Sequence, residues 1–267
     1  MIVRDEAAVI ERCIDSAREL IDHWVICDTG STDGTQDIIR RALEGVPGEL
    51  HERPWVNFGH NRTELLRLAR GKADYLLLLD ADWTVAVQPG ALDALTADSY
   101  WVRHGGDAEF LNKRLVSGKL DWRYEGAVHE FITTDDPDRV EQLEGVVIYH
   151  WGDGGGHGVR WERDAKLLEE ELERDPGDTR AAFYLAQTHR DLGNAERAVE
   201  LYRARAAMGG WDEETYHSLY EVGSLTAELG DWPAAMDALV AAWEFRPQRL
   251  EAVYQLVYNL RLRHQYR

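Results

Sequence analysis

Cysteine, long apolar runs and positive charge are all scarce in this chain of 267 residues. Only Cys13 and Cys27 occur, too few for a disulfide framework or a cysteine metal site. Cys27 lies inside a short apolar run and reads as a buried structural thiol. No window reaches the ~20 uninterrupted apolar residues that a membrane-spanning helix needs, and no secretory leader pattern is visible. A reducing, cytoplasmic location is the expectation. Lysine and arginine number 30 against 49 acids, a net charge of −19. That balance weighs against a protein whose main business is gripping nucleic acid or an anionic membrane, though not against local binding. What remains, 44% hydrophobic and 30% charged residues, is the composition of a globular protein long enough to bury a sizeable core.

The most informative stretch is Tyr75 to Trp83, YLLLLDADW. Tyr75 to Leu79 predict a strand buried on both faces, central in an α/β sheet. Asp80 and Asp82 would stand at its carboxyl end, where open α/β sheets bind ligands. Two carboxylates there suit a hard cation, Mg²⁺ or Mn²⁺, whose shell substrate phosphates complete. A plain strand-end turn would use the same residues. Upstream, the apolar strand Trp24 to Cys27 runs into Asp28-Thr29-Gly30-Ser31-Thr32-Asp33-Gly34-Thr35, an acid followed by a turn that caps a helix starting near Asp33. Such a turn aims backbone N–H groups at the same sheet edge as the aspartate pair. An ordinary capped strand-to-helix connection is the plainer alternative.

In order along the chain, MIVRDEAAVIERCIDSA, WVICDTGSTDGTQDII, FGHNRTELLRLARGKADYLLLLDAD, WRYEGAVHEFI and VVIYHWGDGGG resemble the segments of glycosyltransferase family 2. Those are inverting enzymes of GT-A fold that use nucleotide-diphospho sugars. The resemblance covers roughly residues 1–157 and points to a bacterial and phage branch, which includes enzymes that sugar a cysteine of sublancin-type bacteriocins. It implies that Asp28 contacts the uracil and ribose, and that Arg62 lies near the nucleotide pocket. Asp80 would face the ribose or the metal, and Asp82 would be the direct metal ligand. Glu130 would be the base and His129 would order the site or touch phosphate, with Glu125 a further candidate or a salt-bridge partner. His150 would be a late metal or phosphate ligand. Relatives carry an acid after D-x-D where this chain has Trp83, which puts a sugar or acceptor contact in doubt. Arg103, Lys113, Arg114, Lys119 and Arg123 would fall on the acceptor side, although Asp107, Glu109 and Asp121 interrupt them as on a mixed solvated surface.

After Gly152 to Gly158, read as a closing loop or a linker, the pattern turns helical throughout. One amphipathic helix spans 160–174, and further helices are expected near 178–192, 195–208, 212–229, 233–245 and 248–263. Two segments are mutually similar, with Gly193 matching Gly230 and Ala198 matching Ala235. The period is close to the 34 residues of the tetratricopeptide repeat, TPR. Ala186, Gly223, Ala198 and Ala235 would take the close-packing positions. Such repeats suit peptide binding, self-association as a homodimer, or a structural cap.

The expectation is therefore an α/β GT-A domain with a Rossmann-like mixed sheet over 1–157 and an all-α TPR-like domain over 158–267. The short first strand and the helix at Arg267 suggest a native chain longer at both ends. The implied activity is Mn²⁺- or Mg²⁺-dependent transfer of a hexose or N-acetylhexosamine from UDP-glucose or UDP-N-acetylglucosamine. A protein or peptide acceptor comes first, then hydroxymethylated pyrimidines in phage-type DNA, then an envelope saccharide. The alternative of another class is an inactive transferase domain with a scaffold role.

Overall fold

A computed structural model describes residues 1–106, 109–154 and 160–263. It divides into two compact units, one of Met1–Gly126 with Glu130–Gly158, the other of Ala127–His129 with Val159–Arg267.

The first unit opens with β1 (Ile2–Val3), α1 (Ile10–Ala17), β2 (Trp24–Asp28), α2 (Thr35–Ala42) and β3 (Gly48–Glu52). The three strands form a parallel sheet in the order β1-β2-β3. The chain continues through α3 (Phe58–Ala69), β4 (Tyr75–Leu77), β5 (Trp83–Val87), β6 (Ser99–Gly105), β7 (Phe110–Ser117), the hairpin β8 (Arg123–Glu125) and β9 (Phe131–Thr133), and β10 (Val140–His150). A mixed five-stranded sheet runs β4-β7-β6-β10-β5. Helix α1 serves both sheets. Cys13 and Ala17 join the core over the mixed sheet, while Ile10 and Ile14 pack with Ile26 and Ile39 over the parallel one. Ile10 and Ile39 are fully buried, each worth about 1.5–3 kcal/mol of apolar transfer.

The apolar run at Tyr75 does not make a central strand. β4 stands at one end of the mixed sheet and pairs only with β7. Its faces are nonetheless both covered, Tyr75 and Leu77 by one core cluster and Leu76 and Leu78 by the cluster of Leu66, Val116 and Trp122. Two-sided packing, rather than a central place in the sheet, explains the run. Helix α2 begins at Thr35, after Gly34, which takes the left-handed conformation at its N-cap.

The second unit is helical: α4 (Arg160–Arg174), α5 (Thr179–Asp191), α6 (Ala195–Met208), α7 (Asp212–Glu228), α8 (Trp232–Phe245) and α9 (Glu251–Leu262). Ala186 and Ala198 are completely buried in one core, Ala235 in the next. Gly223 is where the pairs approach most closely, since a Cβ there would lie 2.6 Å from Leu239 Cγ. Fully buried Arg205 pairs with Glu214 at 3.0 Å. Among the described residues no helix is long and apolar enough to cross a membrane.

Candidate active site

The side chains of interest come from the ends of β2, β4 and β10 and from α3. Asp28 closes β2 and is 1% exposed. Its Oδ1 accepts from the Gly30 and Ser31 N–H groups, each at 2.8 Å, so the turn wraps its carboxylate. Its Oδ2 is buried and has no partner among the described residues. An acceptor-only oxygen in that state wants a donor, since a buried unpaired polar atom costs about 1–3 kcal/mol.

Helix α3 explains why the sequence HNRTE matters residue by residue. Buried Asn61 accepts from the Val56 N–H and donates to the Pro54 carbonyl, fixing the entering loop. Thr63 binds β8, its Oγ1 accepting from the Tyr124 N–H at 2.9 Å. Glu64 pairs with Arg53 at 2.7 Å, and the Arg53 N–H donates to the Asp28 carbonyl. Gly59 permits this proximity, because a Cβ there would sit 2.2 Å from the Gly126 carbonyl oxygen. Arg62 is thereby aimed at the end of β4. Its Nη1 lies 2.7 Å from Asp80 Oδ1 and its Nε 2.7 Å from Glu130 Oε1. The Nε contact is an ion pair without hydrogen-bond alignment. One guanidinium therefore links the end of β4 to the segment leading into β9. Burial works against the Arg62 cation, but Asp80 and Glu130 push its pKa up. Burial alone would raise the Asp80 carboxyl; Arg62, and then Arg114, hold it below the ordinary aspartate value.

Asp80 and Asp82 flank a tight turn, in which the Trp83 N–H donates to the Asp80 carbonyl and the Cys13 thiol approaches the same oxygen at 3.3 Å. Burial pushes the Cys13 thiol up to about 12, so it is an inert structural group. β10 runs antiparallel to β5 with His150 opposite Trp83, which sets His150 beside Asp82. The His150 Nε2 and Asp82 Oδ2 are 3.0 Å apart. The strand continues over the turn: the Trp151 N–H donates to the Asp82 carbonyl, and Asp153 accepts two bonds from Arg12. Residues 155–158, the rest of the expected closing loop, lie outside the described residues.

Among the described residues no three His, Cys, Asp or Glu side chains converge as a ready-made metal site. Asp82 and His150 supply two donors, while Asp80 is engaged by Arg62. A two-donor set fits a divalent cation of the Mg²⁺ or Mn²⁺ type only when substrate phosphates complete its shell.

His129 belongs with the helical unit. Its ring stacks on Tyr184 with centroids 4.0 Å apart, and its carbonyl accepts from Arg180 at 2.8 Å. It holds a left-handed φ of 51°, strained for a residue other than glycine. Glu125 is exposed and pairs with Arg123 at 2.8 Å. The basic residues expected on one side are mostly neutralised: Arg103 faces Glu109, Lys113 faces Asp138, Lys119 faces Asp74, and Arg123 also faces Asp135. Arg114 differs from them. It is half-buried with its Nε shut off from solvent, and its Cζ stands 4.3 Å from the centroid of the Trp83 ring. Composition could not separate it from its surface neighbours. Tyr124, directly before Glu125, also belongs to this site, its ring 5.7 Å from the Arg62 Cζ, and no motif in the sequence marks it.

Comparison with known proteins bears on this arrangement. Residues 1–95 match the family model Glycosyl transferase family 2. The chain is 28% identical over 291 residues to a TPR repeat-containing protein of Synechococcus elongatus, a match covering all of this chain and 70% of that protein. It is 22% identical over 219 residues to the SPbeta prophage-derived glycosyltransferase SunS of Bacillus subtilis, covering 75% of this chain and 50% of SunS. The chain thus spans about half the length of SunS. Among solved structures, MamA aligns over 40% of this chain and 60% of its own, at 20% identity and a TM-score of 0.36.

Proposed function

We propose that this chain, whose residues 1–95 match the Glycosyl transferase family 2 model and which resembles a TPR repeat-containing protein along its whole length, is a glycosyltransferase that transfers a hexose or N-acetylhexosamine from a UDP-sugar to a protein or peptide side chain. The observation that carries the reading is the buried Oδ2 of Asp28 at the carboxyl end of β2, which has no partner among the described residues. Uracil offers an N–H and ribose a hydroxyl, either of which supplies the missing donor.

The residues divide the work as follows. Asp28 accepts from the base or ribose, and its turn amides hold its other oxygen in place. Asp82 and His150 would hold a Mn²⁺ or Mg²⁺ ion, which when bound supplies Lewis-acid neutralisation of the departing diphosphate. Glu130 takes the proton as the acceptor's X–H bond breaks and its bond to the anomeric carbon forms, while the bond to UDP breaks on the opposite side. Arg62 holds Glu130 and Asp80 in one ion-paired cluster, which fixes the base relative to the D-x-D turn. A peptide acceptor is favoured over DNA by two features. Four of the five basic residues near β6 to β8 are paired with acids. The α9 helix carries Tyr254, Val257, Tyr258 and Leu262 exposed along one side, an apolar surface of the kind helical repeats offer to peptides.

Ligand-induced thermal stabilisation tests the reading. UDP with Mn²⁺ is expected to raise the melting temperature of the wild type, and Asp28→Asn, which replaces the orphan acceptor or its partner oxygen with a donor, to weaken UDP binding at least tenfold. Failure of any nucleoside diphosphate to stabilise the wild type, or an unaltered response in Asp28→Asn, would sink it.

A further inference from the structure

Arg114 is a half-buried cation that has no ion-pair partner among the described residues. Among the described residues no carboxylate comes within ion-pair distance of it, and its Nε is buried without a hydrogen-bond partner. What its guanidinium does meet is the face of Trp83, at 4.3 Å. Stacking on an aromatic ring is attractive, yet it satisfies none of the five N–H donors. A guanidinium whose Nε is shut off from water without a partner is costly to keep in a fold, and its terminal N–H groups are left available to a ligand.

The backbone shows that the placement is built in. The β6/β7 register pairs Tyr100 with Leu115 and Trp101 with Lys113, so Arg114 is the extra residue of a β-bulge. Bulges break the in-out alternation of a strand and re-aim a side chain, commonly beside active sites. The Leu78 N–H donates to the Arg114 carbonyl, which ties the bulge to the chain two residues before Asp80. Trp83, standing directly after D-x-D, is 7% exposed and is braced edge-on by His104 and His150 at 5.1 and 6.0 Å. A firmly seated ring thus holds the guanidinium plane beside the aspartate turn. Arg62 and Arg114 both act on Asp80, but Arg62 is spoken for by Asp80 and Glu130.

We propose that Arg114, seated on Trp83 by the β7 bulge, is an oxyanion-binding residue of the donor site, and that its open N–H groups take an anionic oxygen of the nucleotide sugar. This rests on the donor reading given above. The oxygen comes either from the diphosphate or from the carboxylate of a uronic acid sugar; guanidinium recognises both by the same paired N–H geometry.

Calorimetric titration of wild type and Arg114→Met with uridine, UDP, UDP-glucose and UDP-glucuronic acid, all with Mn²⁺, tests it. If the diphosphate is the ligand, Arg114→Met loses at least tenfold in affinity for UDP and both sugars while uridine binds as before. If the carboxylate is the ligand, only UDP-glucuronic acid suffers the loss. Arg114→Lys, which keeps charge without the planar fork, recovers part of it. The apo melting temperature of Arg114→Met should hold, since a half-buried cation with an unpartnered Nε has been replaced by an apolar side chain that can keep the contact with Trp83. Equal affinities for all four ligands in wild type and variant overturn the assignment, as does a fall in apo melting temperature with uridine weakened as much as UDP. Should the wild type bind none of the four, the donor reading itself fails and the assignment falls with it.

Discussion

Arg62→Met removes the cation that, among the described residues, joins Asp80 to Glu130. The three side chains are 12%, 22% and 14% exposed, so solvent screening discounts their interaction only modestly. Breaking a pair of this kind by deleting one partner costs about 3–5 kcal/mol, because buried charge is left uncompensated. Arg114, which has no carboxylate at ion-pair distance among the described residues and already acts on Asp80, compensates in part, so the lower end, about 3 kcal/mol, is expected at pH 7. The pH dependence is the sharper signature. In the wild type the folded Asp80 pKa lies below its ordinary value of 3.8. Its stabilising contribution is therefore full above that value and is lost only as pH falls from there through the folded pKa. With methionine in place of Arg62 the burial contribution dominates and raises the Asp80 carboxyl, which reverses the sign: stability is lost as pH rises through the raised value. The destabilisation relative to wild type should thus shrink between pH 7 and pH 4.5. Urea unfolding followed by tryptophan fluorescence at both pH values measures it. A destabilisation under about 1 kcal/mol at pH 7, or one that does not change with pH, would refute the reasoning.

Two further outcomes follow from the helical unit. Gly223→Ala gains about 1 kcal/mol of helix propensity but drives a methyl to 2.6 Å from the fully buried Leu239 Cγ; overpacking at about 1–3 kcal/mol wins, and thermal melting should show a net loss of about 1 kcal/mol. Glu214→Ala strands the fully buried Arg205 and should cost about 3–5 kcal/mol, with the double variant Arg205→Met/Glu214→Leu recovering most of it in the same melts.

How far the fold could be read from the chain differs between its two units. Helices at 195–208 and the limits of the others were legible to within a few residues, because LGN, LGD and RPQ punctuate a 3.6-residue pattern. Gly223 was legible as a close-packing residue from the repeat alone. The sheets were harder. The run YLLLL carries no information about which strand lies beside it, and only the register with β7 reveals an end position. His150 beside Asp82 depends on pairing across 67 intervening residues, a non-local event that local pattern does not encode. Arg114 is the strongest case. Read among Lys113, Lys119 and Arg123 it is one more surface cation; a single-residue bulge separates it from them, and nothing in its neighbours announces that bulge. His129 illustrates the reverse limit, since a motif position says nothing of the Tyr184 ring on which it stacks.

The measurement closest to the central claim is UDP release from a panel of UDP-sugars with Mn²⁺ and no acceptor, for wild type, Asp28→Asn and Asp82→Ala. Slow donor hydrolysis needs no knowledge of the acceptor. The account predicts metal-dependent release from one sugar, reduced in Asp28→Asn through weaker donor binding and abolished in Asp82→Ala. Release that both variants retain at the wild-type rate would contradict it, as would the absence of both release and UDP binding in the wild type.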